Sequence, residues 1–181
     1  MKGGRHKNKV IQVRPPLDEE TVRTLKVGDR LEIWGKIYCG RDAVLPRMAT
    51  LFEKNKLDSI KVDLKGAVIF HTAVSVAGIG PTTSNKVEIE ETIPALSRAG
   101  VKIHLGKGTL KPETVKALEQ HNAVFAVTPP ASALFSAKTI SQRLVAFKEE
   151  GMEALYEIQV RGFPAIVAIA QGKTIFADPS S

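Results

Sequence analysis

The pattern of apolar and polar residues changes between two periods along the chain. Residues 30–38 alternate apolar with polar side chains, and a period of two is typical of a strand with two different faces. Residues 41–55 instead space their apolar side chains as a helix does, with Asp42 placed to cap its start and Pro46 in its first turn. The pattern therefore predicts a strand that ends at Gly40 and is followed directly by a helix.

The same two periods recur in the rest of the sequence. They predict further strands at residues 10–13, 66–74, 101–105, 124–127, 154–160 and 165–169, the last two flanking Gly162-Phe163-Pro164. They predict further helices at residues 17–25, 88–99, 112–121 and 131–137. Strands and helices that alternate throughout indicate one compact α/β domain. We assign residues 10–181 to this domain and residues 1–9 to a flexible basic tail.

The charge of the chain favours an anionic partner. The 181 residues carry a formal net charge of +7, which suits a nucleic acid, a small carboxylate or an acidic protein surface. Residues 1–9 hold a concentrated share of the cations, whereas further along the chain cations alternate with acids and aromatic residues are few. Such a sequence lacks the stacking platform of a single-stranded nucleic-acid binder, so we expect no nucleic-acid partner. Binding of nucleic acid through the tail is the alternative, and it would be steeply salt-dependent.

Apolar runs and cysteine content limit the location and the metal chemistry. No apolar run reaches the roughly eighteen residues that cross a bilayer, and the basic N-terminus is not followed by an apolar stretch, so we expect a cytoplasmic protein without a membrane partner. A single cysteine, Cys39, excludes an internal disulfide and cannot alone hold zinc or an iron–sulfur cluster. We therefore predict no metal site in this chain and interpret Cys39 as a small buried filler.

Three segments combine glycine with a cation. The stretch from Gly78 to Lys86 contains small residues, hydroxyls and backbone donors, and it predicts an anion-binding loop, with an ordinary solvated turn as the alternative. Arg41 and Lys107 each follow a glycine that ends a predicted strand. Because α/β folds usually place ligands at strand ends, the three segments are candidates for one anion site. His71, on a predicted buried strand, is compatible with a catalytic base or with a structural residue.

Several common motifs are missing. Gly106-Lys107-Gly108-Thr109 lacks the preceding glycine of a P-loop, and Gly78-Ile79-Gly80 lacks the third glycine of a dinucleotide-binding turn. No Gly-x-Ser-x-Gly elbow occurs either, which argues against a serine hydrolase.

Seven short motifs occur in order along the chain: Gly28-Asp29, Gly35-x-Ile37, Arg41-Asp42-Ala43, Gly80-Pro81-Thr82-Thr83-Ser84, Gly106-Lys107-Gly108, Glu153-Ala154 and Phe163-Pro164-Ala165. Together they make the chain resemble the beta subunit, or C-terminal domain, of class I iron–sulfur fumarate hydratases and L(+)-tartrate dehydratases. The resemblance covers nearly the whole chain after the basic tail, and the ordered set is far more specific than any single motif.

The resemblance implies a fold, a partner and a reaction. The fold is a swivelling β/β/α domain with mixed sheets flanked by helices, in a hetero-oligomer whose alpha subunit carries a 4Fe-4S cluster on its own cysteines. The reaction is the reversible hydration of fumarate to L-malate, and this chain is active only with the alpha subunit. One alternative is the beta subunit of an L(+)-tartrate dehydratase. The other is a non-catalytic module that binds a carboxylate or a partner.

The resemblance also implies roles for individual residues. Arg41 and Lys107 are expected to clamp the carboxylates of the substrate, which stabilises the aci-carboxylate that develops during C–H cleavage. Thr82 is expected to be the catalytic threonine, and it needs an acid from the partner because a free threonine is a poor base. The other substrate-binding positions implied are Gly80, Thr83 and Lys86.

The chain departs from the family at some of these positions. Lys86 stands where the family usually has an arginine, and lysine keeps the charge but loses the planar fork. The Gly-Pro that follows the family's central strand appears here as Ala73-Val74, and an aspartate near the end appears as Ala170. These changes bear on which substrate is preferred more than on the class of reaction.

Overall fold

The computed structural model describes residues 9–75, 78–82, 86–129 and 137–176; for residues 75, 78–82 and 86–89 it describes the backbone only. Residues 1–8 of the predicted tail, Thr83, and residues 131–136 of the predicted helix at 131–137 lie outside these ranges.

Nine strands in the described residues form one sheet. They are β1 (Val10–Val13), β2 (Arg30–Gly40), β3 (Val68–Ser75), β4 (Gly78–Thr82), β5 (Ile103–Gly106), β6 (Val124–Val127), β7 (Thr139–Ala146), β8 (Leu155–Ala170) and β9 (Lys173–Thr174). The strands β2, β3, β5 and β6 are parallel neighbours, and β8 runs antiparallel to both β6 and β2. Because β8 pairs with both ends of this row, the five strands close into a barrel.

Four helices surround the sheet in the described part of the chain: α1 (Glu19–Thr24), α2 (Leu45–Glu53), α3 (Lys86–Arg98) and α4 (Pro112–Gln120). Short 3₁₀ helices occupy Leu57–Ile60 and Lys148–Glu153. The predicted α/β class, a mixed sheet flanked by helices as in a swivelling β/β/α domain, is confirmed. Among the described helices, none combines the length and the apolar character that crossing a membrane requires.

Both faces of the barrel are buried. Alternate strand residues fill its interior, where the rings of Phe70 and Phe163 meet edge to face with centroids 5.6 Å apart. The strand residues between them face outward. One of these, Ile69, packs with Leu96 of α3 in a second cluster beneath the helices. Burial on both faces explains why β3 is a nearly continuous apolar run rather than a strict alternation.

Helix α2 begins later than predicted. It starts at Leu45, and Val44, the residue before it, has no side-chain capping bond. The N–H groups of Val44 and Leu45 instead donate to the carbonyl oxygen of Arg41, at 3.1 and 2.9 Å, and form a turn. Asp42 therefore does not cap the helix, contrary to the prediction. Burial of Val44 and Leu45 decides where this helix begins, because both side chains are almost fully enclosed.

The sheet differs from the prediction at β4, β7 and β8, and at the two-residue strand β9, which the pattern does not predict. The strands predicted at 154–160 and 165–169 are one strand, β8, because Gly162 takes a φ of 65° and lets the chain bend and continue through Pro164. The loop conformation predicted for Gly78–Thr82 is wrong, because these residues form β4 and pair with β3. Pairing with β3 overrides a Gly- and Pro-containing sequence that disfavours a strand. Strand β7 was not predicted, since most of its side chains are exposed.

Candidate active site

The two cations that follow predicted strands lie at the same edge of the barrel. Strand β2 ends at Gly40, which pairs with His71 of β3. The register of β5 on β3 brings Gly106 to the same level. Arg41 and Lys107, each one residue further on, therefore flank the level of Thr72 of β3 from its two sides. Every second residue of β2 and β5 points into the barrel interior, up to Cys39 and Leu105. Arg41 and Lys107 are the next positions in these two series, so both lie at the mouth of the barrel.

The backbone of Thr82 lies at this mouth as well. Thr82 is the last residue of β4 and pairs with Thr72, the residue that follows His71 in β3. The structure thus brings the backbone positions of Arg41, Thr82 and Lys107 together. Gly80 lies on β4, and Lys86 is the first residue of α3. Thr83 falls outside the described residues.

The Arg41 side chain is held beside a carboxylate. It is 25% exposed, and its Nε lies 3.6 Å from Oε1 of Glu153, at the end of the 3₁₀ helix that precedes β8. The Nε atom is buried and has no hydrogen-bond partner within the described part of the chain. An ion pair at this distance, without a hydrogen bond, orients the guanidinium while leaving its bonding capacity for an incoming anion.

Lys107 is exposed, but the loop that carries it is anchored. Glu90 of α3 is 8% exposed, and its carboxylate accepts a hydrogen bond from the N–H of Lys111. This bond ties the segment between β5 and α4 to the outer helix layer. A mobile cationic side chain on a fixed backbone suits an anion-binding role.

Glycine ends both strands at the mouth for a steric reason. A Cβ at Gly40 would lie 2.9 Å from Cγ2 of Val44, and one at Gly106 would lie 3.1 Å from the Phe125 ring. Neither position has room for a side chain without displacing these neighbours. The close packing fixes where the chain leaves each strand, and hence where the following cation begins.

His71 is a buried residue of the outer layer. It is 0% exposed, and its Nε2 lies 3.3 Å from Nδ1 of His104 on β5. Nε2 of His104 lies 2.8 Å from Oγ of Ser97 on α3. Burial lowers the pKa of His71 to about 4, and burial together with the charge of His71 lowers the pKa of His104 well below its usual value. Both rings are therefore neutral near pH 7. The buried contacts of His71 are those of a structural residue rather than those of a catalytic base.

Sequence reasoning missed His104 and Ser97. The two residues lie seven positions apart, on different elements and outside any recognised motif, and they meet only because α3 packs over β5. The burial of both imidazoles could not be seen from the sequence, because neighbouring apolar residues mark a strand but not the polar contacts across it.

Cys39 does not fit the role of a metal ligand. It is fully buried in the barrel interior, and burial raises the pKa of its thiol, which disfavours the thiolate that ligates metals. No three His, Cys, Asp or Glu side chains within the described residues are grouped to hold a metal ion. The part of the chain that the structure describes thus offers no ligand set for an iron–sulfur cluster.

Comparison with known proteins gives consistent matches over nearly the whole chain. The protein family described as Fumarase C-terminus matches residues 2–178. A putative class I fumarate hydratase of Geobacillus stearothermophilus is 31% identical over 94% of the chain. A putative L(+)-tartrate dehydratase subunit beta of Methanocaldococcus jannaschii and the L(+)-tartrate dehydratase subunit beta of Escherichia coli are each 29% identical over 90% of the chain.

The length of the match differs between these relatives. The chain spans 34% of the Geobacillus protein, but 89% and 88% of the two tartrate dehydratase subunits. It therefore corresponds to one part of the first relative and to most of the other two.

Proposed function

The chain belongs to the Fumarase C-terminus family, and from this premise we propose that it is the beta subunit of a hydro-lyase that acts on a small dicarboxylate. The names of its relatives, fumarate hydratase and L(+)-tartrate dehydratase subunit beta, support this class of reaction. The proposed reaction is the reversible hydration of fumarate to L-malate, with L(+)-tartrate dehydration as the second candidate. The proposed enzyme is a hetero-oligomer with an alpha subunit.

The observation that carries the proposal is the pair of cations at the barrel mouth. Arg41 and Lys107 follow strands that are separated by β3 alone, so their backbones lie about 10 Å apart, two strand spacings. Their long side chains can close this gap around a molecule with a carboxylate at each end. A four-carbon dicarboxylate has this shape and charge, and both candidate substrates are of this kind.

We propose that the two cations divide the binding of the carboxylates. Arg41 is assigned the carboxylate that becomes an aci-carboxylate, because a planar guanidinium can donate two parallel hydrogen bonds to the growing charge. Lys107 is assigned the second carboxylate as a point charge. Binding at both ends fixes the carbon atoms between them, so the substrate is held in one orientation relative to the catalytic groups.

Thr82 is assigned a role in the proton transfer. Its backbone pairs with Thr72 of β3, the strand that lies between the two strands that lead to the cations. A threonine hydroxyl is a poor base alone, so we assign an acid of the alpha subunit as its companion. We also assign the iron–sulfur cluster of the proposed enzyme to the alpha subunit, since this chain's described residues offer no ligand set for it.

The first test is an anaerobic assay of fumarate hydration and L(+)-tartrate dehydration. It compares this chain alone, the cluster-bearing alpha subunit alone, and the two co-purified after cluster reconstitution. We expect activity only in the mixture. Stable association without either activity would favour the non-catalytic binding module, and absence of association would refute the proposed subunit role.

A pair of arginine variants then tests the site. We expect Arg41→Ala to raise KM strongly in the active complex. Arg23→Ala is the matched control, because Arg23 is an exposed arginine on α1, which precedes β2 and therefore lies at the opposite end of the barrel. Equal effects of the two substitutions would show that the loss of any positive charge suffices, and would remove Arg41 from the proposed site.

A further inference from the structure

A chain of buried polar contacts joins three elements behind the barrel mouth. His71 on β3, His104 on β5 and Ser97 on α3 are 0%, 0% and 2% exposed. The contact between the two imidazoles measures 3.3 Å, and the contact from His104 to the serine hydroxyl measures 2.8 Å. Buried polar groups of this kind fix one arrangement of their elements, because any other arrangement leaves them without partners.

The direction of the hydrogen bonds follows from the atom left unpaired. Each neutral imidazole has one N–H donor and one acceptor nitrogen, and Nδ1 of His71 has no partner among the residues that the structure describes. If Nε2 of His71 donates to His104, and Nε2 of His104 donates to Ser97, the unpaired atom is an acceptor. The reverse direction would leave a buried N–H donor unpaired, which is the rarer and costlier case. We therefore assign the Nε2–H tautomer to both histidines.

The chain of contacts lies at the level of the proposed site. His71 pairs with Gly40, the residue before Arg41, and His104 is two residues before Gly106, which precedes Lys107. Helix α3, which carries Ser97, begins at Lys86 and also carries Glu90, the anchor of the loop after β5. The contacts thus tie together the middle of β3, the end of β5 and the helix that braces the Lys107 loop.

We propose that His104 is a positioning residue, which holds the middle of β3 and the end of β5 in register against α3 and so sets the separation of the two cations at the mouth. The contacts of His104 with His71 and Ser97 are a property of this chain. Their effect on catalysis rests on the proposed function. His104 touches no substrate, and it acts through the backbone that carries Lys107.

Three substitutions at this position separate the two contacts of the imidazole. His104→Asn places an amide oxygen near the position of Nδ1, so it can still accept from His71 but loses Ser97. His104→Gln places an amide N–H near the position of Nε2, so it can still donate to Ser97 but loses His71. His104→Leu keeps an apolar side chain and loses both contacts. Lys102→Met is the matched control, since Lys102 is also buried but precedes β5, at the opposite end.

The activity test uses the co-purified complex. We expect His104→Leu to lower kcat/KM by up to about 100-fold, mainly through KM, because a displacement of about 1 Å at a binding group costs this much. One of the two amide variants should recover most of the loss, and which one does so identifies the contact that matters. Lys102→Met should lower the Tm without changing KM. An unchanged KM in His104→Leu, or an equal rise of KM in Lys102→Met, would overturn the inference.

A second readout uses this chain alone. In the wild type, ¹⁵N NMR of the imidazoles should show the Nε2–H tautomer for both histidines. Amide hydrogen exchange of His104→Leu should accelerate at residues 103–111 and in β3 around His71, and stay unchanged at β1 and α1. Uniform acceleration, or none, would overturn the inference. If the wild-type complex were inactive but the His104→Leu chain showed this local pattern, the proposed function would be refuted. The structural role of the His71–His104–Ser97 contacts would then be established on its own.

Discussion

Acid should destabilise this protein through His71 in a measurable way. The pKa of His71 is about 4 in the folded chain, because the ring is buried, and about 6.5 in the unfolded chain. Between these values the unfolded chain binds a proton that the folded chain does not bind. The contribution of His71 to the free energy of unfolding is therefore complete above pH 6.5 and is lost as the pH falls towards 4. The loss amounts to about 2 kcal/mol by pH 5 and about 3 kcal/mol by pH 4.

The assay is urea unfolding of this chain, followed by the fluorescence of Trp34, its single tryptophan, at several pH values from 7.5 to 5. His71→Gln is the comparison, because the amide can still donate to His104 and does not titrate. His104 is present in both proteins, so its own titration largely cancels in the difference. The wild type should lose about 2 kcal/mol more than the variant between pH 7 and pH 5. Parallel curves would refute the reasoning, because they would mean that His71 titrates alike in both states.

Three substitutions at the barrel mouth give further expectations. Arg41→Lys should lower kcat/KM of the complex about tenfold, through KM, since one charged hydrogen bond is lost; an unchanged KM would contradict the bidentate role. Thr82→Ala should lower kcat by a factor of about 10² or more with little change in KM, and full turnover would remove its assignment. Gly106→Ala should cost about 1–3 kcal/mol in urea unfolding, because the new Cβ meets the Phe125 ring 3.1 Å away. Adding Phe125→Leu should recover part of this cost, and strict additivity would argue against the clash.

Sequence reasoning found the strands that are marked by apolar residues. Strands β1 and β6 begin and end where the pattern predicts. Helix α1 falls within the predicted range, and its start is capped by Asp18, whose Oδ1 accepts from the N–H of Thr21 at 2.7 Å. Strand β7 was missed because its residues are mostly exposed, so the strand lacks an apolar face. Its place depends on pairing with β8, which a local pattern cannot report.

The placement of the two cations was also within reach of the sequence. Arg41 and Lys107 each follow a glycine at the end of an apolar run, and parallel strands bring such ends to one edge. The start of α2 was not predictable in the same way. Asp42 has the right chemistry for a cap, but the burial of Val44 beside Ile69 and Leu155 in the second cluster rests on tertiary contacts, and the helix starts at Leu45.

The position of β8 in the order of the chain has a consequence for folding. Its sixteen residues pair with β2, β6 and β7, all of which precede it. Arg30 of β2 pairs with Ile166 of β8, so most of the sequence separates these two partners. The barrel cannot close before β8 has left the ribosome, because β2 and β6 otherwise keep one unpaired edge each. Contacts this distant in sequence slow folding, and open strand edges favour association with other chains in the meantime. The nascent chain is thus most exposed to aggregation just before its closing strand emerges, which makes this the stage at which a chaperone would protect it.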